Sequence, residues 1–150
     1  MSNTIKPVTQ TRTSMAFTGL ATLASANFVR STNPYDLSAN DPWDFIIELS
    51  ATPSGATSGN QQLIVYAQET LDGTNYRSGP SSGTTTTDEP DLLFVGAMKM
   101  FSTNAHLATF SLGAALSYIP LKAYIVIKND AGVGLSAGAV NTSEVWLTIV

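Results

Sequence analysis

The sequence predicts an all-β fold: an antiparallel β-sandwich of jelly-roll type with an extended N-terminal arm. Three observations predict it. Apolar residues recur in short runs of strand length, several of them alternating with polar ones. Gly, Pro, Asn and Asp punctuate those runs every ~10–20 residues, the rhythm of a sandwich. Stretches of helix length are rare, and no internal repeat of fixed period is visible.

Taken in order, residues 2–14 (SNTIKPVTQTRTS) carry two aliphatic side chains, Ile5 and Val8, at no useful period. Such a segment forms no buried face, so residues 1–14 read as an extended arm and residues 15–150 as one β-sandwich domain. The run MAFTGLATLASA, residues 15–26, follows Lys6 and Arg12 and ends in Ala24-Ser25-Ala26, which mimics a leader's apolar stretch and cleavage site. Thr18, Gly19 and Thr22 interrupt it, so it reads as part of the domain.

The strands follow. Phe45, Ile47 and Leu49 alternate onto one face, as do Leu63, Val65 and Ala67. Residues 92–101 are long enough for a core strand, and residues 106–112 align Ala108, Phe110 and Leu112. Residues 124–128 and 145–150 are rich in β-branched and aromatic residues. Asp72-Gly73 suits a tight hairpin turn, and residues 129–134 (NDAGVG) form a second turn-rich junction. Residues 52–60 read as a polar loop, and residues 113–118 as one helical turn before Pro120. The longest low-complexity stretch spans residues 78–90, and a compact domain seldom keeps such a loop without a use for it.

Composition narrows the function. The 150 residues bury roughly 70% of the unfolded surface, enough for one core without metal or disulfide staples. Charged residues are 12% of the chain, against about 25% in an ordinary soluble domain. Polarity comes instead from 19 Thr, 16 Ser and 9 Asn. With no Cys, disulfides, cysteine zinc sites and a cysteine nucleophile are excluded. Seven Lys and Arg against a net charge of −4 argue against a nucleic-acid partner. No apolar run approaches the ~18 residues of a membrane-crossing helix.

Candidate chemistry is thin. Asp36, Asn40, Asp41 and Asp44 offer oxygen ligands for calcium, but they lack the EF-hand spacing and its terminal Glu, and they read as turn formers. Gly132, Gly134 and Gly138 follow a strand without the dinucleotide-binding spacing. His106 is the one histidine, with no partner evident from spacing. Glu48, Glu69 and Glu144 lie in or near strands, unpaired by any spacing that glycoside cleavage would need. Asn141-Thr142-Ser143 fits a glycosylation sequon that only a secretory route would use. Trp43, Trp146, Tyr66, Tyr76 and Tyr124 suit either core pairs or a sugar groove. The residues imply no cofactor, no metal and no catalytic set.

The order of motifs carries a resemblance. Ile64-Val65-Tyr66 leads into Leu71-Asp72-Gly73-Thr74-Asn75-Tyr76; after a polar loop come Ile119-Pro120 and the strand Tyr124-Ile125-Val126-Ile127, closing in Asn129-Asp130-Ala131-Gly132-Val133-Gly134-Leu135. Over residues 43–150 this resembles a group of small tailed-bacteriophage virion proteins. The chain departs from the group at Leu121-Lys122-Ala123, where an aromatic residue often sits closer to the proline. The resemblance implies a structural protein rather than an enzyme: a capsid cement or decoration protein on the virion surface, a dimer or trimer bound to the major capsid protein. On that expectation Ile5, Lys6, Val8 and Arg12 of the arm lie across capsid protein. Ser81, Ser82, Thr84, Thr85, Thr86 and Asp88 then offer an interface loop. A tail tube, fibre or baseplate part is the alternative within the virion. A carbohydrate-binding module using Trp43 or Trp146 is the alternative outside it.

Overall fold

A computed structural model describes residues 4–81, 83–85 and 91–149. Its strands are β1 (Ile5–Thr9), β2 (Thr13–Met15), β3 (Phe28–Arg30), β4 (Tyr35–Asp36), β5 (Asp44–Pro53) and β6 (Gln62–Glu69). There follow β7 (Thr84–Thr85), β8 (Leu93–Lys99), β9 (His106–Ser111), β10 (Lys122–Asp130) and β11 (Leu135–Ile149). A 3-10 turn at Leu20–Thr22 and the helix α1 (Leu112–Leu116) complete the set.

Two antiparallel sheets face each other. The first runs β1-β11-β5-β9, with β2 also on β11; the second runs β7-β3-β10-β6-β8, with β4 also on β10. Counting β1 with β2, and β3 with β4, as single broken strands leaves eight long strands, with two-residue β7 added at an edge. In chain order these eight pair as 1-8-3-6 and 2-7-4-5, the jelly-roll arrangement. The all-β sandwich expected from the alternation is therefore present, and so is its topology.

The core follows from that alternation. Phe45, Ile47 and Leu49 of β5 point at Leu63, Val65 and Ala67 of β6 and at Ile125 and Ile127 of β10. Each of these side chains except Ala67, fully buried, is worth about 1.5–3 kcal/mol of transfer free energy. Asn129, fully buried in β10, keeps its polarity satisfied. Its Nδ2 donates to the Leu23 and Val133 carbonyls at 2.9 and 2.8 Å, and its Oδ1 accepts from Ala131 N–H at 3.0 Å. One amide thus ties the strand to the turn that follows it and to the 3-10 turn region. Gly132 holds that turn at φ +74° against Ser58, which explains the glycine without any nucleotide.

Several elements were hidden. Residues 137–141 (AGAVN) fall in no predicted strand, yet they lie inside the 15-residue strand β11. The Asp72-Gly73 turn is a loop: Thr70 bridges Tyr76, and only Gly73 takes positive φ. Asp72 Oδ1 accepts from the N–H groups of Thr74 and Asn75, at 2.9 and 2.7 Å, and closes the loop.

The segment read as an arm is laid along the protein's own sheet. β1 pairs with β11 from Ile5 opposite Ile149 to Thr9 opposite Val145, and β2 pairs from Thr13 to Met15, running across the boundary at residue 15. The register slips by one between them, leaving Thr11 and Arg12 opposite Ser143 as a bulge. Gln10 N–H donates to the Glu144 carbonyl at 2.8 Å. Stepping back by twos, Val8 and Lys6 turn their backbone groups to β11, and Pro7 turns its nitrogen to the free edge. Proline therefore stands where its missing donor costs no ladder bond.

Candidate functional site

Opposed residues in an antiparallel pair share a face. Phe45, Ile47 and Leu49 point inward, so their partners Glu144, Thr142 and Val140 do too. Val145, Leu147 and Ile149 then point outward, together with Thr9, Pro7 and Ile5 opposite them. The outer face of the first sheet thus ends in an apolar row at its edge. Ile5, Leu147 and Ile149 are 63%, 49% and 67% exposed.

The four arm residues are not brought together. Ile5 belongs to the outer row. Lys6 and Val8 point to the opposite face, Val8 opposite Trp146. Arg12 forms an ion pair with Glu48 of β5, within the chain itself. Leu147 and Ile149 complete the row, and sequence reasoning missed them. Their alternation with Trp146 and Thr148 carried a signal for a strand, but none for which face lies bare.

Part of the loop at residues 78–90 is also anchored. Ser81 is exposed, while Thr84 and Thr85 pair with Val29 and Phe28 at the edge of the second sheet. Ser82, Thr86 and Asp88 lie outside the described residues. Leu92 packs on Phe28, Tyr66 and Val126, a small apolar cluster on that sheet's outer face. Beside it the Arg30 guanidinium lies 3.8 Å from the centre of the Tyr124 ring, and Tyr76 packs on the same ring at 4.7 Å.

The chemistry-bearing residues take structural places. His106 Nε2 lies 3.1 Å from the Ser102 carbonyl and 3.3 Å from Ser102 Oγ, with Phe101 edge-on to its ring. Asp36 is held by Ser38 and Lys122, and these hydrogen bonds draw its carboxyl down to about 2. Asp44 accepts from Phe45 N–H, Gly113 N–H and Ser111 Oγ, at 2.7, 2.9 and 2.5 Å. Ser111 in turn caps α1 through Ala114 N–H. Asp36, Asn40, Asp41 and Asp44 therefore do not form a cation loop. Among the described residues no group of three acidic or histidine side chains is placed to hold a metal ion.

One buried charge was not foreseen. Glu69, 2% exposed at the end of β6, accepts from Arg77 Nε at 2.8 Å and from the Tyr118 hydroxyl at 2.7 Å. Burial, then the bond to Glu69, raises the Tyr118 phenol's pKa. Tyr35, whose ring packs on Phe45 at 4.6 Å, buries its hydroxyl with no hydrogen-bond partner among the described residues. Burial, with Glu69 nearby, pushes that phenol's pKa up.

Two hollows flank this end of the sandwich. One, of about 420 Å3, lies between Gln10, Tyr35, Glu144 and Trp146. The other, of about 580 Å3, lies between Trp43, Tyr118 and α1. No protein-family model matches the chain, and no curated protein is similar enough to it to count as a relative.

Proposed function

We propose that this chain is a virion structural protein of the capsid cement or decoration type, which binds the major capsid protein and stabilises the shell. It works as a dimer or trimer on the capsid surface and carries out no catalysis. The observation that carries this reading is the exposed row Ile5, Leu147 and Ile149 at the sheet edge, in a fold whose charge content is half the usual. Contiguous apolar exposure marks surfaces that are covered in an assembly. The serine- and threonine-rich surface around the row makes contacts that salt screens little, as a shell glue requires. The jelly-roll architecture is used widely in viral shells, though that is an analogy of fold.

The test is co-sedimentation with shells assembled without this protein. Wild type saturates them at a fixed copy number. The double substitution Ile5→Asp and Leu147→Asp, which leaves the core untouched, weakens binding by tenfold or more, as loss of about 1.4 kcal/mol or more requires. Wild type that fails to sediment, or a variant that binds as well as wild type, overturns the reading.

A further inference from the structure

We propose that the hollow between Trp43 and Tyr118 is a binding site for a neutral pyranose unit of a glycan. This does not rest on the shell reading.

Trp43 and Tyr118 are both strongly exposed, at 59% and 46%, and line the same hollow. Two large exposed rings in one hollow present a stacking surface, and the Tyr118 ring is tethered from behind by a carboxylate. Asp44, next to Trp43, is locked by three hydrogen bonds to Phe45, Ser111 and Gly113. The Trp43 backbone N–H donates to the Val145 carbonyl at 2.7 Å. The Tyr118 hydroxyl is bound to Glu69, which Arg77 holds in turn. Ser117, just before Tyr118, sits at φ +63°, a left-handed conformation that a non-glycine residue seldom adopts. The Tyr118 ring is thus preorganised and the Trp43 backbone fixed, which spares a ligand part of the entropy of ordering the site.

The lining selects the ligand. Among the described residues no cationic side chain borders the hollow, so it has no group to attract a phosphate or carboxylate. Asp44 is its one carboxylate, and both oxygens are already taken. What remains is aromatic surface, the Ser117 hydroxyl and the small apolar flank of Pro42, Ala114 and Ile119. A pyranose ring matches this set: its C–H face stacks on an aromatic ring and a hydroxyl exchanges a hydrogen bond with Ser117.

The test uses the full chain on an array of neutral and acidic oligosaccharides, with hits titrated by calorimetry. Wild type is expected to retain at least one neutral oligosaccharide. Trp43→Ala and Tyr118→Ala each weaken it by roughly tenfold. Tyr118→Phe, which keeps the ring and loses its tether to Glu69, weakens it less. Trp146→Ala, in the other hollow, leaves it unchanged. Retention of no neutral oligosaccharide overturns the proposal. So does binding that survives both ring truncations, or binding lost only in Trp146→Ala.

Discussion

Gly96 of β8 lies directly beneath the ring of Phe110 of β9, and a Cβ built on it would stand 2.5 Å from the ring carbon Cδ1. The two strands sit in different sheets, so the missing side chain sets how closely the sheets approach there. Gly96→Ala should destabilise the fold by about 1–3 kcal/mol through overpacking. Adding Phe110→Leu should recover part of that loss, a coupling read from a double-mutant cycle by denaturant unfolding.

Asn129 faces two carbonyls with one amide nitrogen. Asn129→Asp keeps the shape and replaces two donors by acceptors. The cost should be about 2–4 kcal/mol at neutral pH. It should shrink as the pH falls and the new carboxyl takes a proton, so the variant's thermal midpoint approaches that of wild type on acidification. A gap independent of pH would refute this account.

Removing the hydroxyl of Tyr35 should be harmless or helpful. It is buried without a partner among the described residues, and such a group costs about 1–3 kcal/mol. Tyr35→Phe should unfold at the same or a higher denaturant midpoint. The raised phenol pKa has a second consequence. Above the unfolded tyrosine's pKa near 10, the unfolded chain loses this proton before the folded one, so stability falls as pH rises. Tyr35→Phe should flatten that alkaline loss.

Acid acts on the surface carboxylates in the opposite sense. Asp36 is drawn down to about 2 by Ser38 and then Lys122, and Asp72 is also lowered, by the Asn75 and Thr74 amides. Their stabilising contributions are complete above the ordinary aspartate range and fade as pH falls toward the lowered values. The protection factors of the Thr74 and Asn75 amides should therefore fall below pH ~4 before global unfolding. Asp72→Asn should show fast exchange already at neutral pH.

Deleting residues 2–14 removes most of the jelly roll's first strand along with the bare row at Ile5. The truncated chain should lose several degrees of thermal stability and expose the outer edge of β11 to aggregation. Loss of shell binding in that variant therefore would not isolate the contact. Single substitutions at Ile5 and Leu147 do, because both side chains point into solvent.

Where large apolar residues recur at every second position, the strands were legible: Phe45-Ile47-Leu49 and Leu63-Val65-Ala67 named both the strands and their inner faces. Residues 2–14 were not legible as strand, because β1 buries no side chain and is held by backbone bonds that leave no mark in residue type. Residues 137–141 were missed for a related reason. Their small and polar side chains pass under Leu20 and beside β5, where pairing, not propensity, decides. Of the candidate contact surface only Ile5 was named. Its partners lie 142 and 144 positions away, and only the fold brings them together. Glu69 read as unpaired because Arg77 and Tyr118, which hold it, stand outside any local motif.

Pro7 gives the first sheet a direction of growth it cannot take. With its nitrogen at the open side of β1, a further chain seeking to lengthen the sheet meets a ring instead of a donor in the middle of the strand. Lengthening of the first sheet past β1 by a further strand is disfavoured at that point.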